Sequence, residues 1–156
     1  MQLKSDPRYV MVYNGELYNT EELRRELQKK GYAFQETSDT EVLLQAFIEW
    51  KETVVERLNG IFAFAVWDKK AHRLFMARDR MGVKPLFYTL QEGAMLFASE
   101  MKALLTHPQI PAILHADGLR KSCCWVRAEH RAMVYFIIYG SLSRDSMHGM
   151  TTRGCG

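Results

Sequence analysis

The sequence predicts a layered α+β domain. Two stretches of helical period come early, and a run of paired strands with a short closing helix follows them. Ahead of both, Arg8 to Tyr13 is rich in β-formers and meets Asn14-Gly15, a strong turn signal. Thr20 then opens the first helix, with Glu21 and Glu22 in the turn where free backbone N–H groups favour negative charge. Leu23 and Leu27 share one face, cations gather at Arg24, Lys29 and Lys30, and Gly31 is a natural stop. A short strand is expected over Ala33 to Glu36. Ser38 or Asp39 then caps a second helix, whose apolar residues Val42, Leu43, Ala46, Phe47 and Trp50 recur at helical spacing. Val54, Val55 and Leu58 make a third helical turn, ended by Asn59-Gly60.

From Ile61 the period changes. Ile61 to Trp67 is an apolar, aromatic run, Asp68-Lys69-Lys70 is a polar turn, and Leu74 to Ala77 returns. That reads as a hairpin covered on both faces. Met81-Gly82 turns the chain, Pro85 to Thr89 and Met95 to Ala98 form a second hairpin, and Glu100 to Leu105 starts a helix before Pro108. No repeat or low-complexity segment interrupts this order.

Composition excludes several classes. The chain of 156 residues is 47% hydrophobic and 25% charged, the proportions of one globular core. A net charge of +3, evenly spread, gives neither nucleic acid nor an acidic membrane surface anything to hold. No apolar run is long enough to span a membrane and no leader precedes the first strand, so cytoplasm is the expected location. The three cysteines, Cys123, Cys124 and Cys155, all lie in the last quarter, with neither a disulfide framework nor zinc-type spacing. No metal site is expected.

Three stretches carry a family resemblance: Tyr13-Asn14-Gly15-Glu16-Leu17-Tyr18-Asn19, Ser38-Asp39-Thr40-Glu41, and Ala77-Arg78-Asp79-Arg80-Met81-Gly82-Val83-Lys84-Pro85-Leu86-Phe87-Tyr88. Leu58 to Ala65 sits between them, and Phe97-Ala98-Ser99-Glu100-Met101-Lys102-Ala103-Leu104 follows. In this order they resemble the class II, N-terminal-nucleophile (Ntn) glutamine amidotransferase domain of glutamine-hydrolysing asparagine synthetases, from about Tyr9 to about Arg120. The resemblance implies an αββα sandwich of Ntn-hydrolase type, here incomplete. It also implies the chemistry of glutamine amide hydrolysis, which supplies ammonia for ATP-dependent amidation of aspartate to asparagine, a ligase reaction.

That chemistry passes through a thioester, so it needs a thiolate, a base and donors for a tetrahedral oxyanion. In the family the nucleophile is an N-terminal cysteine whose α-amino group serves as base. The oxyanion donors map onto the Asn14 side chain and the Gly15 N–H, and glycine suits a close backbone approach. The carboxylates that take glutamine's α-ammonium map onto Glu16 and Asp39. Taken alone, Asn14-Gly15 is a hairpin turn, Asp39 a helix N-cap and Glu16 a solvated turn residue. Arg78, Asp79 and Lys84 look catalytic by type but read as a structural turn network, and His72 and His107 as surface residues.

The departures from the pattern set further expectations. Gln2 stands where the family has cysteine after methionine, and neither the opening segment nor the ATP-binding synthetase domain is matched. Cys123 and Cys124 lie beyond the matching region and are poor substitutes. No cofactor is therefore expected in this chain, ATP and Mg2+ belonging to the family's synthetase domain. The expected partners are glutamine and that domain. After about Arg120 the resemblance stops and the text turns to Cys, Trp, Met, His and Arg. Joining the last base of one codon to the first two of the next turns Cys123-Cys124 and Cys124-Trp125 into leucines, and Trp125-Val126 and Met133-Val134 into glycines. The permitted product, Leu-Leu-Gly-Pro-Gly-Arg-Ala-Pro-Gly-His-Gly-Val-Phe, resembles the loop that follows in asparagine synthetases. Residues 1–120 are thus read as a partial amidotransferase domain and 121–156 as a frameshifted, unstructured tail. For the chain as it stands, the readings are an inactive synthetase fragment, a catalytically dead module that binds glutamine or a partner, and a pseudogene remnant.

Overall fold

A computed structural model of the chain describes residues 1–3, 7–91, 94–108, 110 and 135–139. Strand β1 (Tyr9–Leu17) leads into helix α1 (Thr20–Lys29), helix α2 (Asp39–Trp50) and a 3₁₀ turn (Lys51–Glu56). Strands β2 (Gly60–Asp68), β3 (Arg73–Arg78), β4 (Phe87–Gln91) and β5 (Ala94–Ala98), helix α3 (Met101–Leu105) and strand β6 (Tyr135–Tyr139) follow. One antiparallel sheet has the order β1-β2-β3-β6, and β4 and β5 pair as a separate hairpin.

The alternation of side chains builds the core on one face of the larger sheet. Tyr9, Met11 and Leu17 of β1, Phe62, Phe64 and Val66 of β2, and Phe75 and Ala77 of β3 meet Leu23 and Leu27 of α1 and Val42, Leu43, Ala46 and Phe47 of α2. Phe47 and Phe75 stand 5.1 Å apart between centroids, and Phe64 and Phe75 5.8 Å, within the range of favourable ring pairs. The opposite face of β2 is buried as well, through Ala63 and Ala65, so β2 is apolar for five consecutive residues, as its sequence predicts. The hairpin β4–β5 and then α3 lie on that side, which makes the order helix, sheet, sheet, helix.

The helix signals hold at α1. Its core residues are Leu23 and Leu27, and it ends at Lys30 with Gly31 at φ +92°, a conformation that favours glycine. Ser38, rather than Asp39, is the N-cap of α2, its hydroxyl accepting from the Glu41 N–H at 3.3 Å. Asp39 is instead the first residue of the helix.

Ala33 to Glu36 do not form a strand. The buried Glu41 carboxylate accepts from Gln35 N–H at 2.9 Å and Glu36 N–H at 2.7 Å, while Gln45 Nε2 donates to the Ala33 carbonyl. Side chains of α2 thereby satisfy the groups that a ladder would have used.

Asn14-Gly15 is not a turn. β1 runs through it to Leu17, pairing with β2 from Tyr9↔Asp68 to Leu17↔Gly60. The second hairpin starts at Phe87 rather than Pro85, and the helical turn before Asn59-Gly60 is 3₁₀. His72 is exposed, whereas His107 is half-buried.

β6 falls inside the stretch expected to be unstructured and pairs with β3 from Arg73↔Tyr139 to Ala77↔Tyr135. The other residues of 121–156, and the boundary near Arg120, lie outside the described residues.

Candidate active site

The four residues singled out from sequence lie on two elements. Asn14, Gly15 and Glu16 are consecutive on β1, and Asp39 opens α2. Asn14 and Glu16 share the solvent-exposed side of the strand, while Tyr13 and Gly15 alternate onto the other.

The direction of the Gly15 N–H follows from hydrogen bonding two strands away. Phe62, the partner of Gly15, accepts from Asp79 N–H at 2.7 Å and donates its own N–H to Asp79 Oδ2 at 3.2 Å. Both of its backbone groups therefore point toward β3. In an antiparallel ladder, the residue opposite must then direct its N–H and C=O the other way. Gly15 thus presents its N–H off the outer edge of the sheet. Met11, at the equivalent phase of β1, confirms the alternation: its N–H donates outward to the Met1 carbonyl at 2.8 Å, and its carbonyl accepts from the Met1 ammonium.

Side chains are excluded at this place. A Cβ on Gly15 would lie 2.4 Å from the Ile61 carbonyl oxygen and 2.7 Å from Phe62 Cα. One on Gly60, the partner of Leu17, would lie 2.3 Å from the Glu16 carbonyl oxygen. The strands approach too closely for any residue but glycine.

Asp39 is tied to the same strand. Tyr13 Oη donates to Asp39 Oδ2 at 2.9 Å, while among the described residues Asp39 Oδ1 meets only Thr40 Oγ1, at 3.5 Å. Burial first, then this hydrogen bond and the charges of Asp39 and Glu16, push the Tyr13 phenol well above the usual tyrosine range. Of the two carboxylates, Asp39 is the one hydrogen-bonded to the hydroxyl. Sequence reasoning passed over Tyr13. The available signal was its place on the core-facing phase of β1, next to Asn14.

A cavity of 320 Å³ opens between the exposed side of the larger sheet and the second hairpin, with Val12, Asn14, Ala63, Ala65, Leu86 and Phe97 in its wall. Gly15, Glu16 and Asp39 are not in that wall. Asn14 therefore faces an apolar recess that Tyr13 also lines, while Asp39 meets the Tyr13 hydroxyl and Glu16 lies on the exposed phase of β1.

The Ala77 to Tyr88 motif behaves as a structural turn. Asp79 is 4% exposed, and its carboxylate accepts from Val83 N–H and Lys84 N–H, each at 3.0 Å, besides Phe62 N–H. The Arg78 guanidinium lies beside Gly82 within the same turn. Among the described residues no His, Cys, Asp or Glu cluster could hold a metal ion, and no helix is long and apolar enough to cross a membrane. The three cysteines lie outside the described residues.

Together these features form a glycine-lined strand edge with an outward N–H, an adjacent carboxamide and two nearby carboxylates. Such a set can hold a developing oxyanion and a primary ammonium. The model of the glutamine amidotransferase domain matches residues 1–141. The chain belongs to the glutamine amidotransferase domain family. It is 60% identical over 111 residues to asparagine synthetase (glutamine-hydrolyzing) 3 of Bacillus subtilis, covering 71% of this chain and 18% of that protein. Over 94 residues it is 46% identical to putative asparagine synthetase (glutamine-hydrolyzing) 1 of Methanocaldococcus jannaschii, covering 60% of this chain and 17% of the relative. The chain thus spans less than a fifth of the length of these curated relatives. Among solved structures, glutamine phosphoribosylpyrophosphate amidotransferase from B. subtilis matches with a TM-score of 0.64 at 22% identity, covering 99% of this chain and 30% of that one. The amidotransferase domain therefore has the Ntn-hydrolase fold, on a sequence whose curated relatives are asparagine synthetases.

Proposed function

We propose that this chain supplies the glutamine-holding face of an asparagine synthetase amidotransferase site. Asn14 Nδ2 and the Gly15 N–H donate to the oxyanion formed at the glutamine side-chain amide, and Glu16 and Asp39 accept from the α-ammonium. The observation that carries this reading is the outward direction of the Gly15 N–H, enforced by the Asp79–Phe62 hydrogen bonds on the far side of β2. A donor fixed in place before the reaction needs no reorganisation as charge develops. In the full-length relatives, the released ammonia would amidate aspartate at an ATP site. ATP and Mg2+ would belong to the synthetase domain of those relatives, and no step at them falls to this chain.

The chain by itself binds glutamine without hydrolysing it. Hydrolysis needs a thiolate beside the oxyanion donors, and no cysteine occurs before Cys123. Calorimetric titration with L-glutamine tests the binding reading: a saturable heat is expected for the unsubstituted chain and a weaker one for Asn14→Ala. No ammonia release above buffer is expected from either. Release that disappears with Asn14→Ala would show that another nucleophile reaches the site, and absence of glutamine binding would sink the reading.

A further inference from the structure

We propose that Tyr13 is a positioning residue, holding the Asp39 carboxylate so that one oxygen stays free for the α-ammonium of the bound amino acid. The proposal rests on the glutamine-binding reading above and extends it to a residue on the buried side of the strand.

Tyr13 stands on the helix-facing phase of β1, half-buried, with its ring packed against the core. Its ring leans along the strand over Gly15: a Cβ there would come within 2.9 Å of Tyr13 Cε2. The missing side chain at Gly15 therefore makes room for the tyrosine as well as for the approach of β2. From this seat the hydroxyl reaches across to α2 and donates to Asp39 Oδ2 at 2.9 Å.

The Asp39 carboxylate needs such a hold. It is half-buried at the first position of the helix, and the N-cap role that would have fixed it belongs to Ser38. Among the described residues its other oxygen has only the long Thr40 contact at 3.5 Å, so one oxygen is oriented and the second is open to a ligand. The phenol is suited to this task because it stays neutral, burial and the neighbouring carboxylates opposing its ionisation. A neutral donor orients the carboxylate without cancelling the charge that an ammonium would seek. A lysine or arginine in its place would compete with the ligand.

A purely structural strut between β1 and α2 would use the same bond, so the test must read ligand choice. The full chain is titrated with L-glutamine and with 4-carbamoylbutanoate, which is glutamine without its α-amino group. The unsubstituted chain is expected to prefer glutamine, and Tyr13→Phe to lose about tenfold of that preference, in keeping with a hydrogen bond to a charged group. Affinity for the deaminated analogue should stay unchanged. A Tyr13→Phe chain that keeps the full preference overturns the assignment. If the unsubstituted chain binds neither compound, the glutamine-binding reading fails and this proposal falls with it.

Should Tyr13→Phe fail to fold, the Cζ resonance of Tyr13 in chain labelled with 13C-tyrosine serves instead. It should shift on adding L-glutamine and stay in place with 4-carbamoylbutanoate. Equal shifts with both would overturn the proposal.

Discussion

Asp79 and Asp39 lie in neighbouring parts of the same fold and do opposite things with the same carboxylate. Asp79 is buried, and three backbone N–H groups, from Phe62, Val83 and Lys84, occupy its oxygens. Asp39 is half-buried, gives one oxygen to a neutral phenol and leaves the other open. A buried carboxylate with backbone N–H groups on both oxygens holds the chain together, and one left half-satisfied near solvent is available to a ligand. Residue type does not distinguish the two. Hydrogen-bond occupancy does.

The comparison breaks most visibly at Asp79. Asp79→Ala leaves three N–H groups without their acceptor, and the expected loss is about 3–5 kcal/mol, near the upper range for single substitutions. Urea denaturation should show it as a lower midpoint. A loss under about 1 kcal/mol would mean that water replaces the carboxylate and that the turn does not depend on it.

A third aspartate sharpens the contrast through pH. Asp68 takes a two-point grip from Arg8, Nε to Oδ1 at 2.7 Å and Nη2 to Oδ2 at 2.6 Å. The guanidinium, helped by the Ala71 and Lys70 N–H groups, holds its carboxyl down at about 2. With the folded pKa below the unfolded value of 3.8, the stabilisation is present above pH 4 and fades as pH falls toward 2. Because the Arg8 side chain is 38% exposed and screened by water, its size is about 1 kcal/mol. Thermal midpoints of the unsubstituted chain and Arg8→Gln should differ at pH 6 and converge near pH 2. A constant gap would assign the effect of Arg8 to packing.

The smallest effect on stability is expected at Asp39. Asp39→Asn keeps shape and can still accept from Tyr13, so the change should stay within about 0.5 kcal/mol. Glutamine affinity should nevertheless drop by roughly tenfold or more, because a charged acceptor is replaced by a neutral one. Unchanged affinity would leave Glu16 as the sole acceptor for the ammonium.

Local signals in the sequence were enough for most of the fold. The spacing of Leu23 and Leu27, the stop at Gly31 and the unbroken run from Ile61 to Trp67 each carry their structure within a few residues. The two largest departures arise from partners outside the segment itself. Asn14-Gly15 has the composition of a turn, yet β2 pairs with β1 through it. Ala33 to Glu36 have the composition of a strand, yet Glu41 and Gln45 take their backbone groups from the next helix. The bond from Tyr13 to Asp39 joins elements separated by all of α1, and no periodicity announces it. Asn14, Gly15, Glu16 and Asp39 were legible as a set only through motif order. Strand phase then separates them, with Asn14 and Glu16 on the exposed side of β1, Gly15 on the other and Asp39 at the start of α2.

The grip of Asp79 also makes the turn and the sheet a single mechanical part. One carboxylate joins Phe62, across the ladder from Gly15, to Val83 and Lys84, which lead directly into Pro85 and Leu86 at the cavity rim. Displacing the rim would strain these hydrogen bonds, and with them the strand that backs the Gly15 N–H. The width of the recess beside Asn14 and the aim of the neighbouring donor are therefore set by the same joint, and a molecule that forces one apart disturbs the other.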